Sequence, residues 1–462
     1  MAITNVTKPA TWSRATDTNR MIYKFSSSNY TAVNFQYQFN MKAYYPDNYG
    51  SPTDLGTYNI HPATDGTVEF NPATIYNNYL GYDINLAATT LTELTRTAVK
   101  FQLYCNEFYG TPPVKIVAGG WYEDGSTNVL MYSYNGAQQP IPYDYTALNS
   151  AGNLKWVMSK NSANQGQFLT DVTEYRMDNS DYAFLYALGD TTGRPTRIRY
   201  TVKYWAAGAG DPIDSPNAFG TTDPSYQQAV ANGDSFVLMD PSGPAVPVGY
   251  TLSTATLYDT NVSYTMANSL GYYFPCGPAN NQATNWSNYL SSWAYYDVDI
   301  LSGSTVLNTY PIRFIRTNVC SKYGTPWQLF WLNPHGGFDT FTFDKKKELE
   351  YKIKRDTYKK KLAPTFNTYE AGERVFNTDV TEETTLYTRN LTQKESQMII
   401  QLAQSPVVYL LKTYSYGGVN TIYSVPYIVV TDSIVYEQKV NSKEISMSIK
   451  IRPANQRLIQ RN

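Results

Sequence analysis

Histidine and cysteine are nearly missing from this chain of 462 residues, which holds two of the first and three of the second. His61 and His335 lie far apart, each beside proline or glycine in a turn. A histidine-based triad or a zinc site needs His close to Ser, Cys or further His, and no such cluster is encoded. Cys105, Cys276 and Cys320 are widely spaced, odd in number and without a Cys-x-x-Cys pair, which argues against a disulfide framework. They read as single buried thiols. Charge is sparse, at 16%. No apolar run approaches the ~18 residues that cross a bilayer as a helix, so no membrane-spanning segment is expected. Met1 to Pro9 lacks the apolar stretch of a signal peptide, so synthesis in a cytoplasm without a cleaved leader is expected. Neither G-x-S-x-G nor a P-loop occurs. Gly208-Ala209-Gly210 runs into Asp-Pro instead of a helix and reads as linker. No cofactor is expected.

What is abundant is aromatic: 15% of residues, with 43 tyrosines. Tyr and Thr suit pleated, half-exposed surfaces, while Asn, Gly and Pro punctuate turns. The composition predicts a mainly β protein, and the patterns along the chain place one amphipathic helix in a C-terminal β domain. The length predicts about two to four domains. An N-terminal β-sandwich region is expected over 1–205 and a Pro/Gly-rich linker or long loop over 206–247. A second β block follows over 248–316, and the C-terminal β domain covers 317–462.

The clearest strand patterns are Phe35, Tyr37, Phe39 and Met41, then Val99 to Cys105, then Ala294, Tyr296, Val298 and Ile300, each alternating with other residues. Tyr45 to Gly56 reads as turns, and Trp121 to Tyr134 as a hairpin around Glu123-Asp124-Gly125-Ser126. Trp327 to Phe343 reads as two aromatic strands joined by an Asn-Pro-x-Gly-Gly turn. After it, Leu349, Tyr351 and Ile353 alternate with charge, as in a half-buried strand. The helix is expected near 392–404: Thr392-Gln393-Lys394-Glu395 is a capping box, Met398, Ile399 and Leu402 form a stripe, and Pro406 ends it.

Two features carry candidate chemistry. Asp297 and Asp299 share one face of a strand, where paired carboxylates can bind Ca²⁺ or serve glycoside hydrolysis; the alternative is the wet face of an antiparallel strand. Asp178 and Asp181 form a similar pair in a polar turn. The densest basic run is Lys345, Lys346, Lys347, Lys352, Lys354, Arg355, Lys359, Lys360 and Lys361, interleaved with Tyr351 and Tyr358. Such a run can track a nucleic-acid backbone, here packaged DNA, or guard an exposed strand edge against aggregation. With Trp327, Trp331 and Phe338 it forms the candidate interaction surface. The net charge of −1 hides an uneven split: −9 over residues 1–310 and +8 over 311–462. Opposite signs on two portions of one chain can steer head-to-tail contacts between copies; the alternative is two domains with independently solvated surfaces.

Several motifs together resemble virion structural proteins of tailed phages that infect Bacteroidetes, including the crAss-like group. These are Gly66-x-Val68-x-Phe70-Asn71-Pro72-x-x-Ile75-x-x-x-Tyr79-Leu80, Phe314 to Cys320, Trp327 to Phe343 and the basic Tyr351–Lys361 stretch. The resemblance implies a non-enzymatic tail, neck or collar component of the virion, built of multiple antiparallel β-sandwich domains, that assembles as a homo-oligomer with other virion proteins. The C-terminal order of hairpin, long basic strand, helix and further strands also looks like the tail-tube fold, an analogy of element order alone. A receptor- or carbohydrate-binding fibre, with Tyr and Trp stacking on sugars, is the alternative. A glycosidase would have only Asp297 and Asp299 to work with.

Overall fold

A computed structural model describes residues 3–7, 9, 12–14, 21–115, 122–123, 131–134, 156–158, 165–189, 194–205, 252–266, 268–317, 325–362, 364–365, 367–369, 372–416, 419–431, 437–438 and 445–455. The chain is mainly β, with several antiparallel sheets. The 206–247 linker and Cys320 lie outside the described residues. Among the described residues no helix is long and apolar enough to cross a membrane.

The described residues fall into two compact units. The first holds those up to Arg316 together with Asn333–Phe338; the second holds those of Thr317–Leu332 and Asp339–Asn462.

The first unit contains two pairs of facing sheets. In one pair, a three-stranded sheet (Ile3–Thr7, Tyr23–Ser27, Thr67–Phe70) faces a larger one built on Ala98–Tyr109, Gln36–Tyr44 and Thr53–Ile60. The alternation that marks Phe35, Tyr37, Phe39 and Met41 places all four in the core between them. There the Phe39 and Phe70 rings stack at 4.5 Å, and the Tyr37 hydroxyl donates to the Gly66 carbonyl at 2.6 Å. Strand Thr67–Phe70 feeds a short helix, Ala73–Asn77, whose Tyr76 stacks on Phe101 at 4.0 Å.

The second pair joins residues from both sides of the 206–247 stretch. Arg197–Trp205 lies between Leu252–Asp259 and Trp293–Ser302, with Ile312–Arg316 and Glu174–Met177 beyond. The 1–205 and 248–316 segments therefore share one sheet, because each supplies strands whose backbone groups the other satisfies. Its partner sheet includes Phe184–Gly189 and Gly271–Pro275, buried at every position, as a strand covered on both faces must be. Tyr296 and Tyr200 donate their hydroxyls to the carbonyls of Cys276 (2.7 Å) and Pro275 (3.3 Å), tying the two sheets together.

Two local expectations change. The end of the Tyr45–Gly56 stretch read as turns opens an edge strand, Thr53–Ile60; only Leu55 in it is buried, so no apolar period marked it. The expected Trp121–Tyr134 hairpin is not formed by its arms: Tyr122–Glu123 and Met131–Tyr134 each pair antiparallel with Ala98–Tyr109, one after the other along its edge. The intervening 124–130 lie outside the described residues.

The second unit is one seven-stranded sheet in the order Phe338–Phe343, Trp327–Leu332, Val408–Tyr416, Val419–Val429, Ser448–Pro453, Glu373–Tyr387, Lys347–Lys359. The helix spans Gln393–Gln404 and buries Met398, Ile399 and Leu402. Its capping box is reciprocal: Glu395 N donates to Thr392 Oγ1 at 3.2 Å, and Thr392 N donates to Glu395 Oε2 at 2.9 Å. Both bonds satisfy amide donors that a helix start leaves open.

Candidate interaction surface

Lys347–Lys359 and Glu373–Tyr387 pair antiparallel along their length, from Lys347 opposite Leu386 to Lys359 opposite Glu373. Ser448–Pro453 pairs with the returning strand only at Thr384–Tyr387. From Glu373 to Glu383 that strand has no third neighbour among the described residues, and Lys347–Lys359 is the last strand of the sheet. The result is a two-stranded arm reaching about 35 Å past the sheet at ~3.4 Å per residue. A β-bulge interrupts it at Asp356/Thr357, where Tyr358 and Phe376 approach to 6.3 Å.

The two faces of the arm differ. Residues directly opposite in a ladder share a face, so Leu349 and Thr384, Tyr351 and Glu382, and Ile353 and Val380 lie together. Nearer the sheet the same face carries Leu386, opposite Ile449, and Thr384, opposite Ile451. Leu386, Ile449 and Ile451 are wholly buried, whereas Leu349 is 53% exposed and Ile353 50%. The core face thus continues outward with nothing over it among the described residues. The half-buried strand expected from the Leu349–Tyr351–Ile353 alternation is exposed on both sides, because no element of the described chain covers the apolar side.

The other face is polar and internally paired. Glu350 stands opposite Glu383, a like-charge pair that would be unfavourable alone. Lys450 resolves it, with Nζ 2.5 Å from Glu350 and 2.6 Å from Glu383, while Lys352 reaches Glu383 at 2.8 Å. Hydrogen bonds from Lys352 and Lys450 hold the Glu383 carboxyl below its usual range. Those that Lys450 donates to Glu350 and Glu383 push its own pKa up to about 12.

The candidate residues separate accordingly. Trp331 and Phe338 are buried and present nothing to a partner, a correction to their placement on an interaction surface. Phe338 packs in the first unit against Tyr82 and Tyr186, with ring centroids at 5.7 and 6.0 Å. Trp327 is half-buried, with the ammonium groups of Lys347 and Lys412 at 5.5 and 5.8 Å from its ring. Burial lowers the Lys347 pKa, and its ammonium donates to the Thr325 carbonyl. Lys345 is half-buried, and Lys346 pairs with Glu348. Lys352, Lys354, Arg355, Lys359, Lys360 and Lys361 are exposed along the arm and its tip. Sequence reasoning missed the returning strand, where Val375 and Phe376 are 47% and 63% exposed. An apolar pair inside the polar run Glu373 to Asn377 was the available signal.

Elsewhere the candidate chemistry resolves into structure. Arg313 Nε and Nη2 donate to the two oxygens of Asp297 at 2.8 and 3.1 Å. Arg199 Nε and Nη2 both donate to Asp299 Oδ2, at 3.1 and 2.7 Å, and Asn308 donates to its other oxygen. These cross-strand pairs occupy the carboxylates. Asp178 and Asp181 close their own turn, with the Asp178 amide donating to Asp181 at 2.8 Å. His335 is buried beside Asp171 at 2.8 Å, with Trp156 against its ring at 4.1 Å; His61 is exposed near Gln36. Burial pushes the thiols of Cys105 and Cys276 well up, as expected of structural cysteines. Among the described residues no group of three or more His, Cys, Asp or Glu is arranged to hold a metal. An open depression of about 390 Å³ near Tyr45, Asn78 and Tyr79 is bordered by Arg96, whose guanidinium lies 4.1 Å over the Tyr45 ring and pairs with Asp47. That ring face is therefore covered and not bare for stacking on a sugar.

No protein-family model and no curated protein matches the chain.

Proposed function

We propose that this protein is a non-enzymatic structural subunit of a tailed-phage virion, assembled in multiple copies in the tail, neck or collar. The observation that carries the reading is the arm: a long ribbon whose apolar face continues the core yet lies open. Two-stranded ribbons are marginal in water by themselves, and large apolar surface left exposed marks a place of association. The motifs that resemble those of virion proteins supply the setting, and carboxylates spent on arginine partners favour architecture over catalysis.

The test is antibody labelling of intact source virions, imaged by electron microscopy, with copy number measured by quantitative mass spectrometry. Label along the tail axis, neck or collar at a fixed copy number is the expected result. Label on projecting appendages would move the protein to the receptor- or carbohydrate-binding class. Virions without the chain would end the structural reading.

A further inference from the structure

We propose that Lys347–Lys359, the outer strand of the arm, pairs edge to edge and antiparallel with the same strand of a second copy, centred on Tyr351. The inference goes beyond the virion reading, since it needs two copies of the purified chain and no other molecule.

Lys347–Lys359 ends its sheet, so among the described residues the backbone groups along its outer side have no strand to pair with. Such an edge is a template for a further strand, and charged side chains are the usual guard against it. Here the charges form a pattern that complements itself when reversed. A two-fold axis normal to the sheet brings two copies of a strand together antiparallel and keeps each face on its own side. Residues directly opposite share a face, so only registers centred on a residue are open. With Tyr351 at the centre, Glu350 meets Lys352 of the second copy and Glu348 meets Lys354 of the second copy, each twice across the axis. Centres at Glu348, Glu350, Lys352 or Lys354 set that residue against itself. Centred on Leu349, Glu348 meets Glu350; centred on Ile353, Lys352 meets Lys354. From Glu348 to Lys354, Tyr351 is therefore the one centre that leaves no like charges opposite each other on the polar face.

Glu350 and Lys352 already have partners within the chain, and the second copy gives each a further opposite charge. Lys354 has no ion-pair partner of its own among the described residues. On the other face the same register lays Leu349 beside Ile353 and Tyr351 beside Tyr351, side chains that stand exposed in one copy. The cost is Lys347 opposite Arg355, although the Lys347 ammonium is engaged by the Thr325 carbonyl of its own chain. The ladder of the arm is regular up to the β-bulge after Asp356, so the matched stretch occupies the even part of the edge. Over 347–387 the arm carries eight Lys and Arg against eight Asp and Glu, so two arms meet without net repulsion. The contact is isologous and closes on two copies.

The test places cysteines and reverses charges in the full chain. Opposite residues of an antiparallel pair have Cα atoms ~4.5–5.5 Å apart, within reach of a disulfide. Under mild oxidation Tyr351→Cys is expected to form a linked dimer that the wild type does not form. Ile353→Cys alone is expected to stay unlinked, because the two copies of that position lie about 14 Å apart along the ladder. Mixed with Leu349→Cys, it is expected to link. In sedimentation over a concentration series, Lys354→Glu is expected to weaken self-association about tenfold or more. Glu348→Lys/Lys354→Glu restores opposite signs across the axis and is expected to recover it. All these positions are exposed, and matching thermal melts establish that the variants fold.

A wild type that stays monomeric throughout the series overturns the proposal. So does a Tyr351→Cys chain that links no more than the wild type, or an Ile353→Cys chain that links to itself as readily. A double variant that stays as weak as Lys354→Glu overturns the register.

Discussion

Asp259 ends the strand Leu252–Asp259 with 1% of its surface exposed. One carboxyl oxygen accepts from the Asn261 amide at 2.9 Å, while Oδ2 has no hydrogen-bond partner among the described residues. Burial raises its pKa above the ordinary 3.8, so the folded state holds the proton more tightly than the unfolded chain does. Its contribution to stability is complete below the unfolded pKa and is lost as pH rises through the folded one. Asp259→Asn keeps the acceptor for Asn261 and cannot ionise. The variant is expected to match the wild type near pH ~3.5 and to be more stable near pH 7 by about 1 kcal/mol, the scale of one unsatisfied buried polar group. Thermal melts at the two pH values check it; a variant less stable at pH 7 would contradict the assignment. Thr392 and Glu395 separate two effects at one helix start. Thr392→Ala removes one capping bond and is expected to cost about 1 kcal/mol. Glu395→Ala removes the reciprocal bond and also the carboxylate 3.3 Å from Arg389, a pair buried on both sides. Its cost is expected to be larger, about 3 kcal/mol or more, because a buried guanidinium loses a charged partner. Denaturant titrations rank the two variants.

At the scale of elements, the turn Asn333–Phe338 shows why a short motif can matter more than its length implies. Asn333 Oδ1 accepts from the amides of His335 and Gly337 at 2.9 and 3.1 Å, and its Nδ2 donates to the Leu169 carbonyl at 2.7 Å. Gly336 adopts a φ of +87°, open to glycine at little cost. At Gly337 the constraint is space: a Cβ would stand 2.8 Å from the Leu169 carbonyl oxygen and 3.0 Å from Tyr186 Cβ. Gly337→Ala is therefore expected to lower stability by about 1–3 kcal/mol, the usual cost of overpacking, read as a lower thermal midpoint. The sequence announces this turn through Asn-Pro-x-Gly-Gly, and it announces elements where one face alone is buried. Phe35 to Met41 and Ala294 to Ile300 alternate because sheets cover one side of them, and Thr392 to Pro406 carries its own start and stop. Thr53–Ile60 was illegible, since a strand with only Leu55 buried has no period to display. Trp331 and Phe338 read as interaction residues because aromatic side chains serve cores and interfaces alike, and only packing separates the two uses. The arm was half legible: alternation placed Leu349, Tyr351 and Ile353 on one face, but a pattern along a strand does not say what covers it.

At the scale of the molecule, the arm and the sheet that bears it have separate tasks, and a deletion can separate them. Beyond Glu383 the arm is exposed or half-buried on both faces, so it lends the single chain little burial; the sheet is completed by Ser448–Pro453 pairing with Thr384–Tyr387. Joining Glu350 to Glu383 through Asn-Gly in place of residues 351–382 closes the hairpin with a turn whose twist matches its strands. Lys450 stays between the two carboxylates, so the shortened base keeps the counter-charge that its facing glutamates need. Such a chain is expected to fold with a thermal midpoint within a few degrees of the wild type, since a change of about 1 kcal/mol moves a large domain by only ~2–4 °C. It is expected to stay monomeric at concentrations where the intact chain associates, and to be left out of virions when both are expressed together. Light scattering and mass spectrometry of purified particles read the two outcomes. A shortened chain that enters virions at the wild-type copy number would show that assembly proceeds through the body of the protein. A collapse in stability would show that the ribbon, bare as it is, belongs to the core after all.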